Sequence, residues 1–345
     1  ERGLQLATPP GVPPLRGAAD MHVGMGELYR ERNDLQAATQ HLLKSQELGE
    51  FNGSPKNPYR WRVAMARIRQ IEGDFEGALD LLHEAERVYM SDFSPNVRPI
   101  AALRTRVWIA QGRLDEALGW AREQRLSAKD DLSYLREFEH ITLARILLAR
   151  YTNDHTDSVI CEALELLERL LQAAQAGGRM GSALEVLVLQ ALAHQLQGDS
   201  LAALDSLDRA LTLAELEGYF RLFLDEGAPM AQLLRDAAAR KIMPDYTGKL
   251  LTGFDAEQPQ NVGESLPSDR RVAATPVAQT LIEPLSQREL EVLRLFATEL
   301  SGPEIARELV IGLSTVRTHT KSIYSKLGVT NRRAAVQRAI ELNLI

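Results

Sequence analysis

Gly73-Asp74-Phe75-Glu76-Gly77-Ala78-Leu79 reads as a joint between two helices. Gly73 suits a left-handed helix end, and Asp74 suits an N-cap whose side chain accepts a backbone N–H of the following helix. Beyond it, Phe75, Ala78, Leu79, Leu82, Ala85 and Val88 keep helical spacing. The joint recurs. Breaks fall at Asn33-Asp34, Gly73-Asp74, Gly112-Arg113, Asn153-Asp154 and Gly198-Asp199, at intervals of 40, 39, 41 and 45 residues. After each comes a small residue: Ala38, Ala78, Ala117, Ser158 and Ala203. A fixed period of this size marks a repeat architecture, in which each helix pair buries its apolar face against its neighbours. Strand signals are nearly absent, so the expected fold class is all-α: a two-helix-repeat solenoid with a concave face.

The units resemble tetratricopeptide-type repeats, though they exceed the ~34-residue standard. Their first helices carry Arg67, Arg104, Arg106, Arg136 and Arg145 among aromatics such as Trp61 and Trp108. Arginine with aromatics suits anionic, carbohydrate-like or peptide ligands. Trp61, Arg104, Trp108 and Arg136 are the candidate ligand-binding residues. The alternative is that both tryptophans are inter-helix core and the arginines surface charge. Residues 218–252 break the period and read as the cap over the last apolar face, through Met230, Leu233, Leu234 and Ala237.

Three regions follow: a repeat domain 1–253, a Pro-containing polar linker 254–280, and a compact module 281–345. The 345 residues are 45% hydrophobic and 25% charged, so wholesale disorder is excluded. No apolar run approaches the ~18–20 residues of a membrane span. Cys161 is the only cysteine, which excludes an intramolecular disulfide framework and a Cys-cluster metal site, and it reads as a core filler. The chain begins at Glu1 without a signal-like segment, and we expect it to be part of a longer, cytoplasmic protein.

Net charge misleads on average. The total is −7, yet residues 310–340 hold Arg317, Lys321, Lys326, Arg332, Arg333 and Arg338 with no Asp or Glu. A basic block on an acidic background is a footprint for a polyanion. Four helical segments are expected here. Ser286 with Glu289 forms a capping-box pattern, and Ser301 with Pro303 opens the second segment. The third runs from Ser314 to about Leu327. Its period puts Val316, Thr320, Ile323 and Leu327 on a core face, with Ser314, Thr318 and Lys321 roughly opposite and Arg317 at the flank. Such a helix fits the DNA major groove, where Arg and Lys reach guanine and Thr meets a thymine methyl.

Leu285-Ser286-Gln287-Arg288-Glu289-Leu290, Glu304-Ile305-Ala306, Ser314-Thr315-Val316-Arg317-Thr318-His319 and Ser325-Lys326-Leu327-Gly328-Val329 together resemble the LuxR-type helix-turn-helix domain. Gly302-Pro303 and Gly312 depart from the usual pattern and put a phosphate contact and a helix cap in doubt. The resemblance implies double-stranded DNA as partner. Base reading is expected from Arg317, Thr318 and Lys321, and backbone positioning from Ser314, Thr315, His319, Lys326 and Arg332. The last helix, from about Asn331, offers Ala335, Ala339 and Leu342 as a stripe for a second copy on DNA, with Val336 and Ile340 inward. The alternative is that all of these close the domain.

Repeat and module together resemble the C-terminal part of the MalT-like regulators, the large ATP-binding members of the LuxR group. That implies a sensor for a small-molecule inducer or a regulatory protein, RNA polymerase as a further partner, and activation. It also places an ATPase upstream. No Gly-x-x-x-x-Gly-Lys-Ser/Thr loop occurs here, so no ATP site, and no other cofactor, is expected in this chain. No His-Glu-x-x-His, Gly-x-Ser-x-Gly or Gly-x-Gly-x-x-Gly occurs, and the seven histidines are scattered singly, so neither catalytic residues nor a metal site are expected. The rival reading is a protein-binding repeat scaffold with latent DNA binding.

Overall fold

The structure is a computed structural model describing residues 2–7, 14–89, 95–257, 287–296, 298, 300, 302–309, 316, 319, 320, 323 and 332–341. The chain divides into two compact units, Glu1–Val262 and Gly263–Ile345. Among the described residues there are helices and turns and no strand.

The first unit begins with α1 (Arg2–Ala7) and continues as five helix pairs. These are α2 (Ala18–Glu31) with α3 (Leu35–Asn52), α4 (Asn57–Ile71) with α5 (Phe75–Val88), and α6 (Ile100–Ala110) with α7 (Leu114–Glu123). Then come α8 (Glu137–Asp154) with α9 (Asp157–Ala176), and α10 (Met180–Gln197) with α11 (Ser200–Glu217). The expected joints account for this order. Gly73 stands at φ 77°, and Asp74 accepts the Gly77 N–H at 2.9 Å. Asp34 and Asp199 cap α3 and α11 in the same way, through Ala37 N at 3.0 Å and Ala202 N at 3.1 Å. The small residues Ala38, Ala78, Ala117 and Ala203 are fully buried, which lets paired helices approach closely.

The fourth joint is displaced. α8 runs through Asn153 to Asp154, the left-handed residue is His155 at φ 49°, and α9 starts at Asp157. Ser158 is therefore exposed, and Ile160, 1% exposed, takes the buried place expected of the small residue. Cys161 follows Ile160 onto the outer side and is exposed, so it is not a core filler. On α9 the core stripe is Val159, Ile160, Ala163, Leu166, Leu167 and Leu170, and position 161 falls off it.

Three further helices complete the unit: α12 (Arg221–Leu224), α13 (Ala228–Ala239) and α14 (Pro244–Glu257). Met230, Leu233, Leu234 and Ala237 are buried, as a cap requires. The cap is longer than expected. α14 continues to Glu257 with Phe254 in the core, so residues 254–257 are not linker. The rest of the expected linker, 258–280, lies outside the described residues.

The cap also reaches back to the first repeat. Phe220 N–H donates to the Glu31 carbonyl at 2.9 Å, and Leu222 N–H to the Glu31 carboxylate at 2.9 Å. Arg221 is buried and donates to Asn33 at 3.0 Å, and it pairs with Asp225 and Glu257. Arg30 pairs with Asp225 at 3.3 Å. The expected concave face thus becomes a lumen whose two ends are joined by these contacts.

The second unit is built around α15 (Gln287–Phe296), α16 (Gly302–Glu308) and α17 (Arg332–Glu341). Residues 316, 319, 320 and 323 are helical between the last two. Val292, Leu293, Phe296, Ile305, Ala306, Val316, Ile323, Ala335 and Ala339 form one small core.

Candidate functional sites: the solenoid lumen and the C-terminal module

The lumen has a volume of about 950 Å³. The first helices of successive repeats supply most of its lining, and α5 adds Phe75 and Leu82. α4 contributes Val63, Ala66, Arg67 and Gln70, α6 contributes Leu103, Arg106 and Ile109, and α8 contributes Phe138 and Arg145. α10 adds Gly181 and Glu185, and the closing segment adds Tyr219, Leu222 and Glu226.

An ion-pair network holds the α6–α8–α10 wall. The Glu185 carboxylate takes Arg106 at 2.7 Å and Arg145 at 2.9 Å, while Glu226 takes Arg145 at 2.7 Å. The Glu185 carboxylate is pushed up by burial, but Arg106 and Arg145 reverse this and hold it at about 2. Burial lowers Arg106, Glu185 supports it, and Arg145 and Arg98 repel it, leaving it at about 10 and charged at neutral pH. Arg106 also lies over the Phe138 ring, 3.8 Å from its centroid. At the closure, burial raises Glu31 against the pull of Arg30.

The four candidate ligand residues do not line this space. Trp61 packs on the first repeat's core and donates its indole N–H to the Leu42 carbonyl at 2.8 Å. Trp108 is half-buried between Arg104 and Arg113, whose Cζ atoms lie 5.9 and 5.7 Å from its ring centroid. Arg104 pairs with Glu86 at 3.1 Å. Arg136 pairs with Glu139 at 2.8 Å and donates to the Gln124 carbonyl at 3.0 Å. The expectation that these four line the repeat domain's binding space is not met, and each contacts protein partners instead. Arg104 and Trp108 share a face at i, i+4, whereas Arg106 is about 200° round the helix from Arg104 and meets the lumen. Arg67, Arg106 and Arg145 belonged to the same sequence cluster. Only the direction of the repeat axis separates them from their neighbours.

His140 shows how a singly placed histidine is used. It is 1% exposed, with Nδ1 at 3.0 Å from the Arg136 carbonyl and Nε2 at 3.2 Å from Asp130. It ties the 127–136 connection to α8. Among the described residues no group of three or more His, Cys, Asp or Glu is placed to hold a metal ion. Among the same residues no helix is long and apolar enough to cross a membrane.

In the C-terminal module, Val316 (2% exposed) and Ile323 (0%) enter the core, as their spacing requires, and Thr320 is half-buried with its hydroxyl on the Val316 carbonyl at 2.7 Å. His319 is helical and half-buried. Ser314, Thr315, Arg317, Thr318, Lys321, Lys326 and Leu342 lie outside the described residues or have undescribed side chains. Two expectations fail. Arg332 is not free for a DNA backbone. Its guanidinium donates to the carbonyls of Leu295 (3.0 Å), Phe296 (3.0 Å), Thr298 (2.7 Å) and Leu300 (2.5 Å), tying the end of α15 and the turn after it to the start of α17. Ala335 and Ala339 are both 0% exposed, so they form no dimer stripe. They let α17 approach α15 closely, and Val336 is only half-buried beside them.

Comparison with known proteins agrees with this division. The family model of the MalT-like TPR region matches residues 1–240, and that of the bacterial regulatory proteins of the luxR family matches residues 283–339. The HTH-type transcriptional regulator MalT of Klebsiella pneumoniae subsp. pneumoniae is 27% identical over 301 residues, covering 84% of this chain and 32% of that protein. The HTH-type transcriptional regulator MalT of Yersinia pestis is 26% identical over 304 residues, with the same coverage of 84% and 32%. The chain thus spans about a third of the length of these relatives. With helix-pair repeats matched along most of its length and a helix-turn-helix region after them, the chain belongs to the MalT-like TPR family, in its combination with a luxR-family regulatory module.

Proposed function

We propose that this chain is the sensor-and-output part of a transcriptional regulator. The closed solenoid senses an inducer or a regulatory partner in or around its lumen, and the C-terminal unit reads double-stranded DNA. The single observation carrying this reading is the pairing of a charged lumen with a luxR-family module in one chain. Arg317, Thr318 and Lys321 are assigned to base edges in the major groove, and Ser314, Thr315, His319 and Lys326 to the phosphate backbone. The burial of Val316 and Ile323 supports this, because a helix that buries those positions turns 317, 318 and 321 away from the core by its period. Activation through RNA polymerase and a cytoplasmic site of action belong to the same reading. An ATPase is assigned to the relatives' additional length and not to this chain. Closure of the solenoid weighs against an extended-peptide scaffold, which needs an open concave face.

The test is a gel-shift titration of the full chain against selected operator fragments over a range of salt. Specific retardation with a steep salt slope is expected. Arg317→Ala or Lys321→Ala should each cost about 1–3 kcal/mol on the cognate site and relax discrimination there. Equal loss on every sequence demotes that residue to a phosphate contact. No retardation at any salt, with a protein partner captured instead, establishes the scaffold.

A further inference from the structure

The charges on one wall of the lumen do not balance. Arg98, Arg106 and Arg145 share it with two carboxylates, Glu185 and Glu226. Glu185 is divided between Arg106 and Arg145, and Glu226 is taken by Arg145. Arg98 is exposed and, among the described residues, has no carboxylate within ion-pair distance. Its Cζ lies 5.5 Å from the centroid of the same Phe138 ring that Arg106 covers at 3.8 Å. One terminal nitrogen of Arg106, Nη2, is buried without a hydrogen-bond partner. Three guanidiniums against two carboxylates leave one positive charge on this wall, on the exposed Arg98 and beside the apolar Phe138 ring.

The geometry points to a binding site for the carboxylate of a small organic monoanion, seated on Arg98 beside the Phe138 ring with Arg106 behind it. The ligand's apolar body would lie along Leu103 and Ile109, which face the lumen from α6. The space of about 950 Å³ is within the range of small-molecule sites. A phosphate monoester fits the charge less well. It brings about −1.5 to −2 at neutral pH to a wall whose excess is a single charge and which already carries two carboxylates. This assignment rests on the sensor reading of the solenoid and adds the chemistry of what is sensed.

The experiment is calorimetric titration of the full chain with two probes, benzoate and 4-phenylbutyrate, each beside its neutral amide. Binding of a carboxylate at least tenfold tighter than its amide is expected, with at least a tenfold loss in Arg98→Gln and no change in Arg32→Gln. Arg32 lines the same lumen and is also exposed. Circular dichroism of Arg98→Gln checks that the exposed substitution leaves the fold intact. Equal binding of acid and amide, untouched by Arg98→Gln, overturns the carboxylate site while the sensor reading stands. No binding of either acid overturns the carboxylate site as well. The sensor reading is tested separately, by whether any lumen substitution alters the salt-dependent gel shift.

Discussion

The first two repeats and the last three share one backbone unit but are held together differently. From α6 to α14 a single apolar core runs unbroken, with Leu166, Leu167, Leu187, Leu207 and Leu211 fully buried within it. In α2–α5 the buried apolar residues fall into separate small clusters, one around Val23, Leu42 and Ile68 and another around Ala66, Ala78 and Leu82. Polar contacts fill the spaces between. Ser45 is buried and donates to the Ala19 carbonyl at 2.8 Å, Asn57 reaches Ser45 at 3.2 Å, and Asp20 accepts the Ser54 N–H at 2.9 Å. His22 and His41 meet at 2.9 Å between their Nδ1 atoms. Apolar burial is non-directional and sums along a stack, whereas such hydrogen bonds are modest in net worth and costly when one partner is lost. Joint geometry therefore fixes the repeat, and stability depends on what lies between the repeats. The closing segment then fastens the weakly joined end to the strongly joined one.

The largest expected effect comes from the strong half. Glu185→Gln leaves Arg106 and Arg145 short of a buried counter-charge and should cost about 3–5 kcal/mol. Because Glu185 is held at about 2, below its ordinary 4.5, the folded state binds fewer protons than the unfolded chain across that window. Its contribution is complete above about pH 4.5 and is lost as pH falls toward 2, amounting to about 3 kcal/mol. Chemical denaturation at pH 7 and pH 3 checks both statements. An acid limb as steep in the variant as in the parent would show that other carboxylates set it.

Arg221→Ala tests the closure. The buried guanidinium holds Asn33, Asp225 and Glu257 together. Its loss should cost about 2–3 kcal/mol, since hydrogen bonds to charged groups are the stronger ones. Hydrogen exchange should speed up in α2–α5 and stay slow in α8–α11. Uniform acceleration across all five repeats would erase the contrast between the halves.

Asp34→Ala and Asp199→Ala remove the same local cap from the two halves, each worth about 1 kcal/mol. The first should appear as faster exchange confined to α2 and α3. The second should lower the stability of the whole continuous core, with exchange changing together from α8 to α14. Identical local signatures would mean that the apolar core does not couple its repeats.

The smallest effect is a pH dependence of the first repeat. Burial lowers the His22 pKa first, and His41 and Lys44 add to it, so the folded state resists protonation. Stability should fall as pH drops through the ordinary histidine range, and only α2–α3 should loosen. His22→Gln should remove this step. Its persistence would assign the titration elsewhere.

The sequence alone determined the helix pairs, because the αL-plus-cap joint is a local device. Asn33-Asp34, Gly73-Asp74 and Gly198-Asp199 specify their own geometry within a few residues. It failed at the fourth joint for the same reason. His155 takes a left-handed conformation without glycine, and nothing local marks it over Asn153. In the C-terminal module the period of the third helix was legible from Val316 and Ile323, since a small core leaves few ways to bury them. The roles of Arg332, Ala335 and Ala339 were not. A basic residue at a helix start looks alike whether it meets phosphate or capped carbonyls, and a small-residue stripe looks alike whether the helix against it belongs to the same chain or a second copy. The lumen likewise belongs to tertiary structure. Sequence gathered the arginines on the first helices, but only the curvature of the stack turned Arg106 and Arg145 inward and Arg104 outward, and only the contacts of residues 220–225 with Arg30, Glu31 and Asn33 joined the two ends. A helical period gives angles about one axis, and the sum of small rotations between successive repeats decides which of those angles faces the centre.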